Sequence, residues 1–368
     1  MPPNAMQHVT NQAAFQAMIA MVAAILFTIV GSWLFVLIRL VANLPLLPRV
    51  HKTRVPWGPF SVLAVGFTYF FLQNAVVVVY LLYKAARNPG FHLKLQSMSF
   101  QDMMLLTTVN NLAAFVIVPV LLFLTSRARA SDLGLVSKDS LKDIVRGVLG
   151  CFLLLPLIYL VMGLALLIWK PTSHPLQNMI VANPSMKVAV LAYISAVVAA
   201  PATEELLFRG VLLAWLWKLG TRLKRAPSPW SELGVTDLAE GPEFIPIEVD
   251  SAGTPYESTA PAVSFSQEYM APAVAISPQT EPTMVLEETP RRWVMVLANV
   301  AASALFAGLH FAQWPAPLPL FVLAMGMGYL YQRTGSLLAP IALHAVFNGL
   351  STTLMFLSAT AFQGAQAP

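Results

Sequence analysis

Eight apolar stretches, each near the length of a bilayer crossing, leave this chain few folds to adopt. They are Phe15–Val41, Pro59–Tyr83, Met103–Thr125, Val145–Trp169, Lys187–Leu219, Trp293–Phe311, Pro317–Tyr331 and Leu337–Ser358. A helix needs roughly 20 predominantly apolar residues to cross the hydrocarbon core. Within that core every backbone N–H and C=O must be satisfied by the segment itself or by a closed barrel. Only 11% of the residues are charged and 57% are hydrophobic, whereas soluble domains carry about 25% charged residues. The expected fold class is all-α: a polytopic membrane protein of about eight transmembrane helices.

The charges that remain are segregated. Between Ala226 and Pro290 lie 11 of the 17 acids and no Lys or Arg. That stretch is rich in Pro, Ser, Thr and Glu and has no helical period, so it reads as a long disordered acidic loop. Short apolar patches at Phe244–Val249 and Tyr269–Ile276 keep a docking or gating role open. The bases gather in alternate loops: Arg49, Lys52 and Arg54; Arg127, Arg129, Lys138 and Lys142; then Lys218, Arg222, Lys224, Arg225, Arg291 and Arg292. Excess Lys and Arg mark cytoplasmic loops, which places both termini outside. The sequence pI of 9.3 therefore reports topology, and no nucleic-acid partner is expected. A single cysteine, Cys151, gives no intrachain disulfide framework and no Cys-based metal site. The first apolar run exceeds a signal-peptide core and reads as a retained span. We find no internal repeat, which argues against a transporter built from inverted halves.

Ionisable residues at membrane depth are costly and tend to be functional. The fifth stretch carries Glu204, Glu205 and Arg209 within six residues. On a helix Glu205 and Arg209 are i and i+4 and meet on one face. Glu204 is turned away by about 100°, free to face a cavity as a general acid or base. Pro201 lies just before them, so a break or kink is expected there. His310 follows in ALFAGLHF, one turn after Phe306, which reads as packing. His344 and Asn348, in PIALHAVFNG, are again i and i+4 and could donate together to an oxyanion. Asn74, Asn110, Asn111 and Asn299 read as interhelical hydrogen bonders. There is no His-Glu-x-x-His helix and no Gly-x-Ser-x-Gly elbow.

Glu204-Glu205-x-x-x-Arg209, Phe306-x-x-x-His310 and His344-x-x-x-Asn348 together resemble the three motifs of the CPBP (Abi) family. That family contains the CAAX prenyl endopeptidases, including the Ras-converting enzyme, and bacterial bacteriocin-immunity and bacteriocin-processing homologues. The resemblance covers roughly residues 187–354. It implies a glutamate-dependent intramembrane endopeptidase in which Glu204 and His310 activate a water, His344 and Asn348 stabilise the oxyanion, and Glu205 and Arg209 support them. It implies no cofactor. A zinc reading, with Glu204, His310 and His344 as ligands, stays open, since three protein ligands suffice for a catalytic site. The partners implied are a membrane-associated or lipidated protein or peptide substrate and the lipid bilayer, with a bacterial inner membrane as the expected setting.

The chain then divides into accessory N-terminal spans (residues 1–186), a catalytic core (187–358) interrupted by the acidic insertion (221–290), and a C-terminal tail (359–368). The insertion separates the first motif from the second, where relatives have a short connection. Two rival readings remain at this stage. One is a non-proteolytic immunity or regulatory protein that binds through loops; the other is an ion-coupled transporter using Glu204. One geometric problem stands as well. His344 lies about 7 residues into its span, or roughly 10 Å, while His310 lies about 17 residues in, or roughly 26 Å. Straight, untilted helices hold them apart, so tilt, the prolines at 315, 317 and 319, or a distortion near Pro201 must bring them together.

Overall fold

The computed structural model describes residues 3–47, 54–88, 98–171, 186–222 and 292–362, with side chains from residue 10 onward and without that of Phe100. The acidic stretch lies outside the described residues. Among those described there are helices and no strand. In chain order they are α1 (Pro3–Val41), α2 (Pro59–Arg87), α3 (Phe100–Ser126), the single turn α4 (Ala130–Leu133) and α5 (Ser140–Ile168). They continue as α6 (Met186–Thr221), α7 (Arg292–Gly308), α8 (Pro317–Thr334) and α9 (Leu338–Ala361). Every apolar stretch read from the sequence is thus helical. Six helices (α1, α2, α3, α5, α6 and α9) are long and apolar enough to cross a membrane. The protein is an all-α integral membrane protein. α7, at 17 residues, and α8, at 18, are the shorter pair.

α9 packs most extensively against α5 and α1, α7 against α8, and α8 also against α5. α3 lies along the first half of α6, and α2 packs on α3. α6 therefore touches α3 and α9 with its first half and α7 with its second. Two apolar cores hold this arrangement. One gathers Trp57, Leu122, Leu206, Leu213 and Tyr331; the other gathers Cys151, Leu155, Phe306, Leu323, Met327 and Leu343. The lone cysteine is thus a packing residue of the α5–α8–α9 core. The outward faces of α1 and α2 expose Leu26, Phe27, Phe60, Phe67 and Phe71, as lipid-facing helices do.

Where α5 meets α9 the backbones come close. A Cβ on Gly147 would meet the carbonyl oxygen of Ala339 and the methyl of Ala342. Close approach through a small residue is the usual way transmembrane helices gain packing energy. Gly147→Leu is expected to lower the thermal unfolding midpoint in detergent, since overpacking a tight contact costs about 1–3 kcal/mol. An unchanged midpoint would mean that α5 and α9 are not in register here.

The polar residues of the spans divide by partner. Asn111 accepts from Tyr69 of α2 at 3.0 Å, and Asn299 donates to the Met325 carbonyl of α8 at 2.9 Å. Both are interhelical, as read from the sequence. Asn74 is a correction: it donates to the Phe70 carbonyl of its own helix at 2.7 Å, the local bond that a polar side chain on a lipid-facing turn makes when no neighbour is in reach. Asn110 is fully buried and its carboxamide completes no hydrogen bond.

Candidate active site

The Pro201 region, where the sequence led us to expect a break or kink, is continuous helix. Its distortion takes another form. α6 widens to i→i+5 bonding over Ile194–Ala199 and again over Leu206–Leu213, and the turn Ala200–Glu205 sits between. Such π segments are frequent at functional sites. In this pattern the Ala200 N–H reaches back to the Ser195 carbonyl. The next bond in the series would run from residue 201 to Ala196, but proline has no N–H to give. Asn348 Nδ2 supplies the missing donor, bonding the Ala196 carbonyl at 2.7 Å. Pro201 thereby opens an acceptor on α6 that α9 fills through Asn348.

Glu205 is completely buried and its Oε1 accepts two bonds, from Arg209 Nη1 at 3.0 Å and from His344 Nδ1 at 2.9 Å. Arg209, also buried, donates from Nη2 to the Ala324 carbonyl of α8 at 3.1 Å and lies over the Phe306 ring, with Cζ 4.8 Å from its centroid. Three helices and the ring of a fourth thus converge on one ion pair. With Nδ1–H given to Glu205, His344 turns Nε2 toward Glu204, 3.8 Å from its Oε2. Glu204 keeps 25% of its side chain exposed, against 4% for His344 and none for Glu205. The two neighbouring carboxylates occupy different environments: Glu205 is held within the protein, and Glu204 keeps part of its side chain exposed.

His310 lies just past the end of α7 and is half-buried. Its Nδ1 donates to the Phe306 carbonyl at 2.9 Å, which leaves Nε2 as the free acceptor. The Phe306 ring stands between the histidines, 5.1 Å from His310 and 5.8 Å from His344 by ring centroids. Glu204 is within Coulombic reach of both. The two histidines that straight helices would hold apart thus lie against one ring. α7 ends before His310, and the chain turns through Phe311–Gln313 into α8. Phe306, expected only to pack, is the spacer that sets both imidazoles and carries the arginine on its face.

Sequence reasoning missed Thr203 and Tyr69. Thr203, fully buried, donates from Oγ1 to the Asn111 carbonyl at 2.7 Å, and Asn111 Oδ1 accepts from the Tyr69 hydroxyl. The available signal was a hydroxyl residue immediately before Glu204, and a tyrosine in an otherwise apolar run. As placed, no group of three His, Cys, Asp or Glu among the described residues converges as a metal-ligating set. His310 and His344 each hold Nδ1 on an acceptor, a backbone carbonyl and a carboxylate, which leaves Nε2 of each ring for other contacts.

Residues 282–350 match the family described as Type II CAAX prenyl endopeptidase Rce1-like. These residues are similar to an Rce1-like domain. The match spans Phe306, His310, His344 and Asn348 and begins beyond Glu204, Glu205 and Arg209. The match agrees with the CPBP resemblance over the second and third motifs. No curated protein and no solved structure matches the chain.

Proposed function

We propose that the protein is a glutamate-dependent intramembrane endopeptidase that hydrolyses a peptide bond near the C-terminus of a lipidated or otherwise membrane-associated protein, in a bacterial inner membrane. The observation that carries this reading is the unequal pair. Glu205 is committed to Arg209 and His344, while Glu204 stays partly open beside two imidazoles. Glu204 takes a proton from a water as the water oxygen attacks the scissile carbonyl, with His310 Nε2 accepting a hydrogen bond from the same water. The resulting oxyanion needs donors already in place. Asn348 has one N–H left after its bond to Ala196. His344 can donate from Nε2 when its ring carries both protons, and the Glu205 carboxylate on Nδ1 is the counter-charge for that form. Collapse of the tetrahedral intermediate breaks the C–N bond, and the proton held by Glu204 leaves on the amine. The residues themselves provide this chemistry.

A purified preparation in detergent or liposomes, given an internally quenched farnesylated CAAX peptide and its unprenylated counterpart, tests the reading. His310→Ala is expected to reduce kcat by about 10²–10⁴-fold, the range for general acid–base groups, with an unchanged unfolding midpoint. Equal turnover by parent and His310→Ala would remove His310 from the mechanism. No turnover of either peptide by the parent would favour the binding-protein reading.

A further inference from the structure

The accessory helices reach the acidic pair through one connected set of bonds. Thr203, the residue before Glu204, is tied to α3 through the Asn111 carbonyl at 2.7 Å. The Asn111 side chain holds the Tyr69 hydroxyl of α2 at 3.0 Å. Tyr69 is half-buried and lies within Coulombic reach of Glu204. Asn110 stands against the same phenol without completing a hydrogen bond to it. None of these residues belongs to the three motifs, and all but Thr203 lie in the N-terminal spans.

The direction of the Tyr69 bond decides what the phenol can do. A carboxamide oxygen only accepts, so the single phenolic hydrogen goes to Asn111. The phenol oxygen then keeps lone pairs and has no donor left, within Coulombic reach of Glu204. A peptide that leaves water to enter the site brings backbone N–H groups, and each costs several kcal/mol if buried without a partner. We propose that Tyr69 is a substrate-binding residue of this site, its phenol oxygen accepting a hydrogen bond from a main-chain N–H of the peptide beside the scissile bond, with Asn111 as the positioning residue that fixes the phenol. This rests on the protease reading and extends the site to α2 and α3. It gives the N-terminal spans a part in substrate recognition.

The test uses the full-length protein and whichever quenched peptide the parent cleaves. Tyr69→Phe removes only the hydroxyl and is expected to lower kcat/KM roughly tenfold, the worth of one such hydrogen bond, with an unchanged unfolding midpoint. Asn111→Leu is expected to lower it similarly, and the double variant to be no worse than Tyr69→Phe alone, because residues acting through one contact are not additive. A purely structural role for Asn111 would give additive losses and a lowered midpoint, which overturns the positioning assignment. Parent-level cleavage by Tyr69→Phe, with Glu204→Gln inactive, overturns the role of Tyr69 and leaves the protease reading intact. Parent-level cleavage by Glu204→Gln overturns the protease reading itself.

Discussion

Glu204→Gln is expected to reduce peptide cleavage by on the order of 10²–10⁴-fold while the protein inserts and unfolds as the parent does. The substitution keeps the shape and the hydrogen-bonding reach of the side chain and removes only its capacity to take a proton. It should leave stability alone because little of the fold hangs on Glu204. Its ion-pair contact is the loose one to His344 at 3.8 Å, and a quarter of the side chain is open. The measurement is kcat on a quenched CAAX peptide alongside the midpoint of thermal unfolding in the same detergent. Activity above a tenth of the parent's would show that the proton goes elsewhere. His344 Nε2 would then be the next candidate, since it faces the same space.

The contrast with Glu205 shows how far the sequence alone could take the site. The i, i+4 spacing of Glu205 and Arg209 is enough to pair them on one helical face, and their side chains meet at 3.0 Å. The same spacing argument placed His344 and Asn348 together but could not say what each would bond. Spacing within one helix fixes which side chains share a face; it carries no information on which other helix that face meets. The bond from His344 to Glu205 and the bond from Asn348 to Ala196 cross from α9 to α6, so both had to await the fold. Pro201 is a case of partial legibility. Its missing N–H signalled a defect in the helix, and the chain absorbed that defect as π widening with Asn348 as the replacement donor. Each apolar stretch is helical among the described residues, but hydropathy neither shows the single turn α4 nor distinguishes a full crossing from the shorter α7 and α8. Tyr69 was invisible because its hydroxyl, in VGFTYFFLQN, has no periodic partner in its own helix. Its partner, Asn111, is 42 residues away.

Arg209→Leu is expected to cost more stability than any other single change at the site. Breaking a buried ion pair from one side leaves an uncompensated charge and destabilises by about 3–5 kcal/mol. Here the side chain also gives up the Ala324 carbonyl of α8 and the face of Phe306. The expected result is poor accumulation in the membrane and an early unfolding transition in detergent. Arg209→Lys should recover only part of the loss, since an ammonium cannot reach Glu205 and Ala324 together in the planar geometry of a guanidinium. The double variant Glu205→Gln/Arg209→Leu removes both charges and should be more stable than Arg209→Leu, because a neutral pair in a low-dielectric interior avoids the stranded carboxylate. It should nevertheless cleave poorly, since His344 then has no anion on Nδ1 to support the doubly protonated ring. A double variant that regains both stability and full turnover would show that the buried pair serves packing alone, and that the orientation of His344 does not depend on Glu205.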